Sequence, residues 1–339
     1  MHTPQSPPHA PWCSGAAVGR WLLVCAAFVI AMTVVGGLTR LTRSGLSIVE
    51  WQPITGVLPP WGDEAWSAAF AAYQGSPEGR LVNHSIDLAG FQEIYLIEWA
   101  HRLLGRVTGL VVLLPLLLFV ATRRLRGRRA ARVLGIFALG AVQGFLGWFM
   151  VKSGLVDAPH VSHYRLAMHL MMALLILGLL VWAALEELRP LREHAARALA
   201  PVAWTILGLL ALTVVWGAFM AGLHAGHVAP TFPDMNGALV PSFRSILDDA
   251  IGVHFAHRML GWCTALAAVA MFGLSRALPC PPRVRWVSSL LLLGVAGQIV
   301  LGALTVLHHV PLVLAALHQA NGALLVPCAV ALVHSLRRA

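Results

Sequence analysis

Eight apolar runs constrain this chain more than any other feature. They fall at about 21–38, 94–121, 133–151, 164–185, 202–222, 250–272, 285–307 and 312–334. Each is long enough to cross a hydrocarbon layer of about 30 Å as a helix. A backbone in lipid must satisfy its own hydrogen bonds, so runs of this kind become helices or nothing. Only 11% of the residues are charged and 58% are hydrophobic, against roughly 25% charged in soluble domains. The expected fold is all-α and integral to the membrane, with eight transmembrane helices. The net charge of +10 points to membrane topology rather than to nucleic acid, because the basic residues lie between the apolar runs.

Their placement orients the chain. "TRRLRGRRAAR", "LRPLREHAARA" and "SRALPCPPRVR" follow the second, fourth and sixth runs, while the intervening loops hold few basic residues. The positive-inside rule then places both termini in the cytoplasm and the long loops 39–93 and 223–249 outside. The expected location is the inner cell membrane. Within loop 39–93, "DEAWSAAFAAY" reads as a short interfacial helix capped by Asp63. The first run is too long for a signal-peptide core and lacks a clear cleavage site, so it reads as a retained helix. Cys13, Cys25, Cys263, Cys280 and Cys328 show no metal-binding spacing and give no expectation of disulfides.

The chain also repeats itself. "EWAHRLLGR" (98–106) is echoed by "HFAHRMLGW" (254–262), "TVVGG" (33–37) by "TVVWG" (213–217), and "GAVQGFLGW" (140–148) by "GVAGQIVLG" (294–302). Two four-helix units follow, 21–185 and 202–334, flanked by a tail 1–20, a linker 186–201 and a tail 335–339. An even number of spans per unit keeps both in one orientation, so the expected arrangement is two four-helix bundles related by a pseudo-twofold axis along the membrane normal.

His101, His169, His257 and His318 fall on the second, fourth, sixth and eighth runs, near their outer ends. A lone intramembrane histidine is usually a hydrogen-bonded packing residue. Four on alternate helices of a repeat suit two bis-imidazole haems, each held inside one bundle. Gly105 and Gly261, each four residues after a His, would leave room for a flat macrocycle, and Arg102, Arg106 and Arg258 could meet propionates or snorkel to headgroups. His160, His163, His224, His227, His308 and His309 read as solvated or non-ligating. The halves differ at one place. Glu98 lies three residues before His101, on the same helix face, whereas the aligned position of the second unit is His254. An intramembrane acid suggests function, so the first unit would hold a haem that undergoes chemistry and the second a haem that transfers electrons.

With these motifs in place, the chain resembles the haem A synthase family, in particular its mitochondrial and proteobacterial members. "GGLTRLTRSGLSIVEWQPITGVLPP" (36–60), "NHSIDLAGFQEIYLIEWAHRLLGR" (83–106), "YRLAMHL" (164–170), "AGLHAGHVAPTFPDMNG" (221–237), "HFAHRMLG" (254–261) and "ALHQANGALL" (316–325) carry the likeness. The resemblance implies oxidation of the C8 methyl group of haem O to a formyl, giving haem A for terminal oxidases. It implies that His257 and His318 bind a haem b cofactor, that His101 and His169 flank the substrate haem, and that Glu98 is the catalytic acid. The haem O-producing farnesyltransferase would be a partner, with an electron acceptor of unknown identity. The outer loops lack the cysteine pairs of Gram-positive members, and His224 stands where Asp or Arg is more usual. The competing readings are a dihaem b-type electron-transfer cytochrome and a haem or small-molecule transporter.

Overall fold

A computed structural model describes residues 13–50, 52, 55–156, 161–188 and 197–337. The chain is helical, with one isolated bridge between Met235 and Ala238. The helices are α1 (Cys13–Leu41), α2 (Asp63–Gln74), α3 (Pro77–Leu81), α4 (Leu88–Ala121), α5 (Gly127–Val156), α6 (His163–Leu188), α7 (Ala200–Gly222), α8 (Ala250–Ala277), α9 (Pro282–Leu307) and α10 (Leu312–Leu336). Eight of them, all except α2 and α3, are long and apolar enough to cross a membrane. The spans run further than the apolar runs because Arg, Glu and Gln are good helix formers and carry the helices past the hydrocarbon. Thus α5 takes in "RRAAR" and α6 ends on "EEL".

The starts of α4 and α8 are capped by neighbouring side chains. Asp87 accepts from the Gly90 N–H at the start of α4 (2.9 Å), and Asp249 accepts from Ile251 at the start of α8 (3.1 Å), each satisfying a donor the first turn leaves free. The expectation for α2 is corrected. Asp63 is its first helical residue, and the cap position belongs to Gly62 at φ 81° with no side-chain cap. The chain reverses there through a left-handed backbone that glycine tolerates and aspartate does not favour. The helix itself forms as expected, and Trp66, Phe70 and Tyr73 seat it on Phe91 and Tyr95 of α4.

α1 lies against α4, α6 and α10; α5 against α6; α7 against α6, α8 and α10; and α9 against α8 and α10. Association in lipid has no hydrophobic drive, so close packing and hydrogen bonds carry it. Small residues provide the closeness: a Cβ on Gly294 would lie 2.7 Å from Leu325, across α9 and α10. The outward faces are lipid-like, with Leu266 70%, Leu293 69% and Leu114 59% exposed. At one end of the molecule the guanidinium of Arg40, from the last turn of α1, donates to the carbonyl oxygens of Ala221 (2.9 Å) and Gly222 at the end of α7 and lies 3.2 Å from His224 Nε2. That places both long loops, 42–87 and 223–249, at the same end. The opposite end is arginine-rich, where Glu186 pairs with Arg132 and Arg337, and Glu187 with Arg129.

Candidate haem sites

Each of the four histidines sits on a separate long helix near the loop-bearing end. His169, His257 and His318 lie six or seven residues inside α6, α8 and α10, about 9–10 Å down each helix. His101 is on α4 and lies within electrostatic reach of His169. The imidazoles of His257 and His318 face each other with ring centroids 6.3 Å apart and planes crossed at 69°.

The hydrogen bonds around the second pair fix its tautomers. His257 Nδ1 lies 3.0 Å from the Thr213 carbonyl oxygen, which can only accept, so Nδ1 carries the proton and Nε2 the lone pair. Asn321 donates to Gln298 Oε1 (2.8 Å), which fixes that amide and turns its Nε2 toward His318 Nε2, 3.2 Å away. His318 Nε2 therefore also accepts. Metal–imidazole bonds of about 2 Å, with each ring centroid about 1 Å behind its nitrogen, put centroids about 6 Å apart across one metal. Two imidazoles with this spacing suit a bis-histidine haem iron, which would take the place of the Gln298 amide at the His318 Nε2 lone pair.

Around all four rings the neighbouring helix presents glycine. A Cβ on Gly36 would lie 3.1 Å from His101, on Gly147 2.9 Å from His169, on Gly217 3.2 Å from His257 and on Gly302 3.0 Å from His318. Any larger residue would push the imidazole aside. Gly105 and Gly261 do not touch the histidine rings: a Cβ on Gly105 would lie 3.6 Å from Met32, and one on Gly261 would meet open space. Gln143 lies 3.3 Å from His169 Nε2, matching Gln298. The sequence signal for these residues was the repeat "QGFLG" (143–147) and "QIVLG" (298–302), whose true register is one residue beyond the first alignment.

Glu98 is buried in α4, and its carboxylate accepts four hydrogen bonds. Arg102 Nε (3.0 Å) and Nη2 (2.6 Å) donate to Oε1, while Ser47 Oγ (2.7 Å) and the Ile48 N–H (2.8 Å) donate to Oε2. Such a donor set holds the carboxylate in one place and orientation. Arg102 also donates to the carbonyls of Ile48 (3.0 Å) and Glu50 (3.2 Å), and Arg106 to that of Gln52 (2.9 Å). Glu98 and Arg102 thus fasten the segment 47–50 over the end of α4. In the second half Arg258 does the same without an acid. It donates to His254 Nε2 (3.0 Å) and to the carbonyls of Ala229, Thr231 and Asp234. Arg102 and Arg258 therefore spend their guanidinium groups on loop carbonyls and on residues 98 and 254. His163 lies 3.4 Å from Asp248, and His160 falls outside the described residues.

A second buried acid, Glu78 of α3, was not anticipated. Tyr73 donates to it (3.4 Å) and Asn83 donates to the Tyr73 hydroxyl (2.6 Å). Burial, reinforced by the charge of Glu98, raises its carboxyl to about 7. Burial likewise raises the Tyr73 hydroxyl to about 12.

Residues 19–330 match the model of the cytochrome oxidase assembly protein family. Heme A synthase of Nitrosospira multiformis is 43% identical over 95% of this chain and 94% of its own length. The chain belongs to the haem A synthase family. The heme A synthases of Rhodospirillum centenum, 41% identical over 99% of this chain and 92% of theirs, and of Maricaulis maris, 43% over 95% and 97%, cover the same extent. Membership in the haem A synthase family and the eight apolar helices together make this a multi-pass membrane protein.

Proposed function

We propose that the chain is an enzyme that oxidises the C8 methyl group of haem O to a formyl group, producing haem A. The observation that carries this reading is the unequal pair of clamps. An arginine staples a loop over each histidine site, and only the first staple holds a buried carboxylate, Glu98, one turn from a histidine. A plain dihaem carrier has no use for that difference.

In this reading His101 and His169 flank the substrate haem, and Gly36 and Gly147 leave the room their imidazoles need. His257 and His318 hold haem b, which supplies electron transfer when bound. Turning a methyl into a formyl inserts one oxygen atom from a co-reactant; with water as that source, four protons and four electrons leave, the electrons to the separate acceptor. Glu98, positioned by Arg102, Ser47 and the Ile48 N–H, accepts a proton as a C–H bond breaks. The stapled segment 47–50 covers that position and limits access of bulk water. In this reading the arginine-rich end faces the cytoplasm and the haem sites face the periplasm of an inner membrane, which the positive-inside rule supports. A haem O-producing farnesyltransferase supplies the substrate, and a separate acceptor takes the electrons.

Extraction of the haems from purified protein tests the reading. Haem O, haem A or hydroxylated forms are expected beside haem b. Haem b alone would leave a plain cytochrome, and no haem at all would leave a transporter.

A further inference from the structure

The seam between α1 and α4 leads away from the first histidine site toward the arginine-rich end. Gly36 meets His101 at its upper part, and Met32 approaches Gly105 below. Lower still the seam opens into a groove of about 420 Å³ with wholly apolar walls, within the usual ~300–1,000 Å³ of small-molecule sites. Trp21 and Val24 form one wall, and Val107, Leu110, Val111 and Leu114 the other, above Pro115. Along α4 these positions lie about 9–20 Å below His101 at ~1.5 Å per residue.

Pro115 explains why the groove has a fixed floor. It has no N–H, so the Val111 carbonyl loses its helical partner. The Trp21 indole N–H donates to that carbonyl instead (2.9 Å) and is held across the seam. Leu110 and Leu114, 53% and 59% exposed, leave the side of the groove open to lipid. The second unit does not repeat these residues. The offset that carries His101 onto His257 carries Val107, Leu110, Val111, Leu114 and Pro115 onto Cys263, Leu266, Ala267, Ala270 and Met271. Two large side chains become alanine, and the proline becomes a fully buried methionine.

We infer that this groove receives the isoprenoid chain of the substrate haem and so decides which ring methyl is presented for oxidation. The inference rests on the reading of the first site given above. Haem O carries one farnesyl-derived chain, on the pyrrole opposite a propionate-bearing one. With both propionates toward the loop-bearing end, the chain points down α4. Turning the macrocycle over about the axis between the propionates leaves them in place but exchanges the C8 and C5 methyl groups and carries the chain to the other side. A groove on one side only accepts one of the two orientations. Hydrocarbon in lipid is solvated about as well as hydrocarbon against leucine. The preference therefore comes from fit rather than from burial, and the free energy it gives one orientation is lost from affinity when the groove is filled. A membrane acyl chain would have no orientation to set, and the second site, holding a haem without the chain, needs no such groove.

The test uses full-length protein in lipid nanodiscs, loaded with haem O and compared with the same protein before loading. The hyperfine-shifted methyl proton resonances of the oxidised haem count its orientations. Wild type and the lipid-facing control Leu266→Trp should add one set of resonances. Leu110→Trp and Leu114→Trp, which fill the groove from its exposed side, should add two sets, with haem O affinity lower by about half the ratio in which wild type prefers one orientation. Protohaem loaded into the wild-type first site should also give two sets. A single orientation in the groove-filled variants, or a phospholipid that stays in the groove while haem O is bound, would overturn the inference. Failure of the protein to take up haem O, or uptake unaffected by His101→Ala and His169→Ala, would instead overturn the reading of the site beneath it.

Discussion

The two histidine sites share a plan but not a degree of fixation. In the second, His257 is held by the Thr213 carbonyl, and His318 faces an amide that Asn321 locks. In the first, Gln143 takes the place of Gln298, yet its Oε1 is buried without a partner, and the carbonyl matching that of Thr213, on Thr33, is occupied by Gln319 of α10 (2.6 Å). A site whose ligands are locked suits a group that stays. A site with a looser surround and an acid nearby suits a group that enters, changes and leaves.

The largest effect should come from the ligands themselves. His257→Ala or His318→Ala should abolish resident haem b, read from the optical spectrum and extracted pigments. His101→Ala or His169→Ala should spare haem b and abolish haem A. Equal loss of both pigments from every variant would erase the distinction between the sites. Next, Glu98→Gln should retain both haems and lower haem A yield by about 10²-fold or more, the usual weight of a proton-transfer group. Normal yield would reduce Glu98 to a fastener for segment 47–50. Smaller again is the effect of the amides. Gln298→Ala removes a donor that competes with iron for the His318 Nε2 lone pair, so it should retain haem b at least as well as wild type, and Gln143→Ala should leave haem b release unchanged.

The smallest effect concerns the loops. Glu78 is buried beside Tyr73, whereas Asp234, Asp248 and Asp249 of the second loop reach solvent. Because its carboxyl is raised from 4.5 to about 7, the folded state holds the proton more tightly than the unfolded chain. Its contribution to stability is full below pH 4.5 and is lost as pH rises through about 7, an upper bound of about 3 kcal/mol. Thermal unfolding of Glu78→Gln should lack this decline, and identical pH profiles for variant and wild type would show that Glu78 titrates normally.

The spans and the four histidines were legible because each depends on one helix: apolar length for the first, spacing within a repeat for the second. The glycines that matter were not, since Gly36 and Gly147 touch histidines on other helices and no intrahelical spacing reveals such neighbours. Glu98 was visible as an anomaly, but its partners Ser47 and Ile48 lie some fifty residues earlier in the sequence. Glu78 was hidden in a polar stretch, "GSPEGR", where nothing local marks an acid as buried. The misplaced cap at Asp63 has a local cause, the backbone sign of Gly62.

Gln319 immediately follows His318, and its amide is anchored on α1, where it rests against Gly37. Any rotation of α10 that accompanies a change at the second histidine pair therefore pulls on the wall beside the first. Neither centre is mechanically private: filling or emptying one should perturb the absorption bands of its neighbour.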